Sequence, residues 1–200
     1  LRGLQQGTFD FSAMDACTVD VGTMVIGADA KVADNAPGQG TLRLPDGTLI
    51  ADSITLGDGT YDGAVGETSG LLELNGTQAQ ISSSLTVAQK GALSVTIDGL
   101  DSGLVLDSAA SLTIEDGGVI EFLFNEAGHG IQWPGDHTAT LSGYLSSGKI
   151  TATLDPAVLS QGYFTQIRTT DGATLLTVIP EPASLLLSAL GLLALTFRRR

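Results

Sequence analysis

The sequence predicts an all-β protein with a parallel β-solenoid (β-helix) body, and three observations carry that prediction. Apolar residues alternate in short pieces separated by Asp-Gly and other glycine turns. Those pieces recur with an imperfect period near thirty residues. The composition is thin in the helix formers Glu, Lys and Arg, with 26 glycines among 200 residues and only 5% aromatic and 16% charged residues. Short period-2 strands bounded by glycine and aspartate turns are the signal of β structure.

Taken in order, "VGTMVIGADA" (21–30) reads as the end of a first unit. "TLRLPDGTLIADSITLGDG" (41–59) then places Leu42, Leu44, Leu49, Ile54 and Leu56 around Asp-Gly turns. "GLLELNGTQAQISSSLTVAQKG" (70–91) repeats the arrangement with Leu72, Leu74, Ile81, Leu85 and Val87. "GALSVTIDGLDSGLVLDSAASLTIEDGG" (91–118) repeats it with Leu93, Val95, Ile97, Leu104, Leu106, Leu112 and Ile114, and "GGVIEFLFNEAG" (117–128) begins another. Leu42 to Leu72 is 30 residues, Ile54 to Leu85 is 31 and Leu85 to Leu112 is 27. About three strands per unit at that period suits stacked coils, each burying its inward side chains against the next. The segment "TYDGAVGETS" (60–69) reads as a loop bulging from one coil.

The alternative is an antiparallel β-sandwich, whose strands also alternate and turn every 8–12 residues or so. Six Asp-Gly pairs, beginning at Asp46, Asp58, Asp62, Asp98, Asp116 and Asp171, serve hairpins as well as coil corners. The resemblance among the units favours the solenoid. Three parts follow: solenoid repeats over 1–124, an irregular loop and capping strands over 125–178, and a separate tail over 179–200. Residues 125–139, "NEAGHGIQWPGDHTA", read as a surface loop with a tucked tryptophan. "LSGYLSSGKITATLDP" and "GYFTQIRTTDGATLLTVI" read as longer strands, and 157–160 is too short to predict a helix.

Charge narrows the function. The chain carries 9 basic and 22 acidic residues, but three of the basic ones are Arg198, Arg199 and Arg200. Residues 1–179 hold 6 basic and 21 acidic groups, a net of −15. Such a body repels nucleic-acid backbones and anionic sugars, so no nucleic-acid partner is expected. Cys17 is the only cysteine, which excludes an intrachain disulfide and CxxC metal sites. In "ACTVDV" it reads as a small core residue.

Little in the body points to catalysis. His129, Trp133, Asp136 and His137, with Glu121 and Glu126 nearby, are the most site-like group. The eight-residue gap between the histidines matches no helical ligand spacing, so a structural role is expected. Asp58 with Asp62, and Asp98 with Asp101, offer oxygens to calcium but fit no EF-hand loop, and turn aspartates are commoner. Ser53, Ser82, Ser83 and Ser84 have no base in their motif. Asn75-Gly76-Thr77 matches both a glycosylation acceptor and a turn pair. A polysaccharide-cleaving β-helix enzyme needs a cationic groove or opposed carboxylates, and Lys31, Arg43, Lys90, Lys149 and Arg168 are scattered. No enzyme, cofactor or metal is expected.

The tail is different. "VIPEPASLLLSALGLLALTFRRR" (178–200) joins Pro180-Glu181-Pro182, an uncharged run Ala183–Phe197 and Arg198–Arg200. Fifteen residues make a helix of about 22 Å at ~1.5 Å per residue, short of the ~30 Å hydrocarbon core. The following arginines can act as a stop-transfer signal held in the cytoplasm. Pro180 and Pro182 keep the segment before the bilayer extended and helix-free.

In that order and at the C-terminal end, these features resemble the PEP-CTERM sorting signal. The resemblance implies recognition by an exosortase, an integral-membrane cysteine transpeptidase-like enzyme of exopolysaccharide-making bacteria. It implies a secretory signal peptide on the full precursor, contact with the inner membrane through residues 183–197, and removal or replacement of the tail. Pro180, Glu181, Pro182, Arg198, Arg199 and Arg200 would be the processing signal. "LRGLQQGTFDF" has no apolar signal core, so the chain reads as a fragment or trimmed precursor. The body is similar to the glycine- and threonine-rich β-repeat passengers of such proteins. The expected protein is an exosortase-sorted structural or adhesive component of the cell surface or extracellular matrix of a Gram-negative-type bacterium. The alternative is an extracellular polysaccharide-binding module or polysaccharide-degrading enzyme displayed by the same tail.

Overall fold

A computed structural model describes residues 5–27, 38–57 and 69–181. They form a mostly β structure, a parallel β-solenoid of about four turns. The chain alternates between two sheets. One receives β1 (Gln5–Asp10), β3 (Gly38–Leu44), β5 (Ser69–Asn75), β7 (Gly91–Ile97), β10 (Val119–Phe124) and β12 (Ile150–Leu154), paired in that order. The other runs from β2 (Cys17–Ile26) through β4 (Gly47–Leu56) and β6 (Thr77–Val87) to β8 (Gly103–Leu106) and β11 (His129–Pro134). A short β9 (Ser111–Ile114) continues beside β6. All these pairings are parallel. Apart from β8 and β9, consecutive strands from β1 to β12 therefore lie in opposite sheets and stack on the next coil, which rules out the antiparallel sandwich.

The equivalences read from the repeats are the register partners: Leu42 faces Leu72, Ile54 faces Leu85, and Leu85 faces Leu112. Inward columns follow, such as Leu72, Leu93, Ile120 and Ile150, or Leu74, Val95 and Phe122, all buried. Within β4 the buried positions shift from Leu49 and Ala51 to Ile54 and Leu56, so the alternation skips at Asp52–Ser53. The register slips at the same place against β6, and Asp107–Ala110 separates β8 from β9 there. That shared bend turns the long strand into two faces, giving the three strand segments per coil that the period predicts.

Glycines let the two sheets meet. Gly7, Gly40, Gly70 and Gly91 are register partners down the first sheet. A methyl group on Gly70 would overlap the Ile26 carbonyl oxygen and the Gly57 nitrogen. One on Gly91 would overlap the Leu56 carbonyl oxygen, and one on Gly118 that of Val87. The obstacles are backbone atoms, which cannot rotate away.

The solenoid extends beyond the boundary drawn at residue 124. β11 pairs parallel with β8, and β12 with β10, so residues 129–134 are a strand rather than a surface loop. Between them lies α1 (Thr138–Ser146), where the alternation predicted strand. Its Leu141 is buried, and the Tyr144 hydroxyl donates to the Leu112 carbonyl at 3.2 Å. The Lys149 ammonium donates to the Ile114 carbonyl at 2.9 Å and pairs with Asp116 at 2.8 Å. These side chains satisfy the open edge of β9. The Asp155 carboxylate accepts the Ala157 N–H at 2.8 Å and starts the short helix α2 (Pro156–Ser160), contrary to expectation. Then β13 (Tyr163–Thr170) and β14 (Ala173–Pro180) form an antiparallel hairpin laid against β11. Its turn is Asp171-Gly172, both at positive φ (51° and 76°), as a type I′ turn requires. The expected loop at 60–69 lies outside the described residues except Ser69, which opens β5.

Two variants test this packing. Leu85, fully buried, should not tolerate charge: Leu85→Asp loses the apolar contact and buries an unpaired carboxylate, costing at least about 4 kcal/mol. Cooperative thermal unfolding should disappear from its circular dichroism trace. Gly70→Ala should lower the melting temperature, whereas Gly143→Ala in α1, with open space around it, should leave it unchanged or raise it.

Candidate functional site: the closing hairpin and the sorting tail

The histidine–tryptophan group lies where β14 meets β11. Trp133 is 4% exposed, and the His137 ring stacks on it with centroids 3.6 Å apart and planes 7° from parallel. The backbone N–H of His137 donates to the Thr174 hydroxyl at 2.8 Å, and that hydroxyl donates to the Gly135 carbonyl at 2.8 Å. His137 Nε2 lies 2.9 Å from the Pro134 carbonyl, its acceptor. The Trp133 indole N–H is buried without a hydrogen-bond partner. Asp136 accepts the Thr138 N–H at 3.1 Å at the start of α1, which holds its carboxyl below the ordinary range.

His129 serves the same seam from the other end of β11. Its Nδ1 lies 2.9 Å from the Thr177 hydroxyl, which donates to the Gly128 carbonyl at 3.0 Å. With the hydroxyl proton so directed, Nδ1–H is the donor. Burial, then the nearby Arg168 charge, lowers the affinity of this imidazole for a proton. His129 opens β11 and His137 lies three residues beyond its other end, each tied to a threonine of β14, and no shared reaction space joins them. Sequence reasoning missed Thr174 and Thr177, and their buried positions in a hydrophobic strand were the available signal.

Other candidates are similarly occupied. Asp98 accepts the Asn125 side-chain amide at 2.8 Å, and its own N–H donates to the Ser102 hydroxyl at 3.1 Å. Asp58 and Asp62 lie outside the described residues. Among the described residues no group of three or more His, Cys, Asp or Glu is placed to hold a metal. Ser82 donates to Asp52 at 2.8 Å, and Ser84 to Ser53 at 3.1 Å, on the solenoid's outer surface. Gly76 turns the chain between sheets, so Asn75 stands at a coil corner rather than in a hairpin, with Thr96 donating to its side chain at 3.3 Å. Cys17 is half-buried against the core in the first coil. A cleft of about 590 Å³ between α1 and β13 is lined by Ser142, Leu145, Ser146, Thr165, Gln166 and Ile167, without an aromatic.

The tail begins inside the fold. Val178, Ile179 and Pro180 are the last residues of β14, facing Thr165, Phe164 and Tyr163. The Glu181 N–H donates to the Gly162 carbonyl at 2.6 Å. The segment expected to stand free before the bilayer is extended, but its first half is paired with the body. Pro182, residues 183–197 and Arg198–Arg200 lie outside the described residues. No helix among the described residues is long and apolar enough to cross a membrane.

Compared with known protein families, residues 178–200 match the PEP-CTERM protein-sorting motif. No curated protein and no solved structure matches the chain. The chain therefore carries a PEP-CTERM sorting motif, which marks it as an exported protein processed by an exosortase. The motif match begins at Val178, one residue before the predicted boundary.

The half-buried His129 gives the hairpin a pH dependence. Its folded-state proton affinity lies below the ordinary value, so its contribution is present above the ordinary histidine range and is lost as pH falls through it. Between about pH 7 and 5 the wild-type melting temperature should fall relative to that of His129→Gln, which keeps a donor for Thr177. Parallel melting curves for the two proteins would refute the assignment.

Proposed function

We propose that this protein is a structural or adhesive component of the cell surface or extracellular matrix, delivered there by its C-terminal motif and released from the membrane by the exosortase. The sorting motif carries the reading. The body supports it by what its side chains do: histidines, serines and turn aspartates are spent on coil-to-coil and hairpin contacts. Its exposed large aromatics among the described residues are Phe9 and Phe11, both in the first coil, so no aromatic row forms a sugar-stacking platform.

In this reading residues 183–197 insert transiently, and Arg198–Arg200 stall transfer, since each arginine costs about 2.5–3.5 kcal/mol at the bilayer centre. The short span suits an intermediate better than a permanent anchor. The body, net −15 through residue 179, remains solvated on the outer side.

The test is to express the full precursor in a host with and without its exosortase and to weigh the C-terminus. With the enzyme, surface or matrix fractions should contain protein ending near Pro182. Without it, the intact chain should remain with the inner membrane, as should a Pro180→Ala, Glu181→Ala double variant even when the enzyme is present. Surface protein that still carries Phe197 and the arginines would show the tail to be an ordinary anchor.

A further inference from the structure

Burial changes along β14 where the sorting motif starts. Thr174 to Val178 are buried, Ile179 and Pro180 half-buried, and Glu181 exposed. Val178 belongs to the hydrophobic core, and its N–H donates to the Gly128 carbonyl at 3.2 Å. Beyond Val178, Pro180 faces Tyr163 and Glu181 is tied to Gly162. The Glu181–Gly162 bond puts the Tyr163–Pro180 pair at a non-hydrogen-bonded position of the antiparallel ladder. A proline fits there without loss, because its missing N–H would have had no partner.

Enzymes that cut or transfer peptides commonly hold the segment before the scissile bond as an extended strand, through its main-chain groups. In the folded body those groups of Ile179 and Glu181 face β13. The same backbone cannot pair with β13 and with an enzyme cleft at once.

We propose that the β13–β14 hairpin gates processing: its last rungs hold the start of the sorting motif closed, and the exosortase acts on a frayed form open as far as Val178. The inference rests on the exosortase reading of the tail. The core-bound Val178 stops the fraying there. The half-buried Ile179 and Pro180 make opening beyond it a local event that leaves the solenoid folded. Processing is then limited by the open population, and the folded body fixes how much of the motif is offered.

Two variants of the full precursor test this in the exosortase-bearing host, with processing followed by pulse-chase. Six Gly/Ser residues inserted between Ile179 and Pro180 leave Pro-Glu-Pro intact and free it from β13. Processing should quicken by roughly tenfold if a modest opening step is removed. The second variant, Phe164→Cys with Ile179→Cys on a Cys17→Ser background, joins a register pair with an expected Cα separation of about 5.5 Å, within disulfide reach. In the oxidising exported compartment it should process at least about tenfold more slowly than either single-cysteine variant, and a reductant should restore the rate. An insertion that leaves the rate unchanged or slows it overturns the gate, since the hairpin would then be irrelevant or part of the recognised surface. A locked variant processed like its single-cysteine controls also overturns it. If the locked chain fails to fold, the insertion decides alone. A parent precursor that is never processed in that host refutes the sorting reading itself, and the gate with it, whereas a processed parent with unresponsive variants refutes the gate only.

Discussion

The close approach of backbone to backbone along the glycine column sets the rest of the structure. The Ile26, Leu56 and Val87 carbonyls occupy the space that side chains would need at Gly70, Gly91 and Gly118. Ile26, Leu56 and Val87 are themselves register partners, so the contact repeats at each coil step. This repeated contact fixes the separation of the two sheets at that edge, and with it the depth into which the inward Leu and Ile columns must fit. Column residues of similar size, such as Leu72 and Leu93 or Leu85 and Leu112, then superimpose without large cavities. A larger residue at Gly70, Gly91 or Gly118 would force the coils to shear, and the loss would reach every inward layer beside it.

Stacking of this kind makes stability a sum over neighbours, and leaves the last coil with unpaired edges and an exposed core. The chain solves this differently on each face. Where β9 ends one face, Tyr144 and Lys149 satisfy its backbone groups from α1 and the segment after it. On the adjoining face, β14 reverses direction and pairs with β11, held by Thr174 and Thr177 to the turns around Gly135 and Gly128. The antiparallel hairpin thus ends a parallel stack, and Trp133 and His137 fill the seam between them.

Much of the fold was legible because a solenoid writes its register into the sequence. Leu42, Ile54 and Leu85 could be matched with Leu72, Leu85 and Leu112 because each coil repeats its inward side chains at nearly constant spacing. The signal failed where the pattern was thin. In β11 only Ile131 and Trp133 point inward as large side chains, between two glycines and a proline, so the strand looked like a loop. Helix α1 is nine residues rich in Thr, Ser and Gly, and it is helical because Leu141 and Tyr144 pack onto the coil end rather than by propensity. The tail motif was fully readable, since a linear signal needs no fold. Its attachment to Tyr163 and Gly162 was not, because that pairing exists only once the hairpin forms.

The placement of charge links the solenoid to its export. Outward positions on neighbouring coils can hold like charges only if something intervenes, and the described residues show how: Arg43 sits between Asp10 and Glu73, bonded to both carboxylates in successive coils. The next position down the column is Ser94, which relieves the repulsion before Glu121. The arrangement is only half-buried and contributes little stability by itself. It does let an acidic body stack carboxylates without driving coils apart. The positive charge that the body lacks is concentrated instead at Arg198–Arg200, on the far side of an uncharged segment. Fifteen uncharged residues thus divide an acidic body from a basic terminus, and this division of charge falls within the sorting motif that the sequence carries.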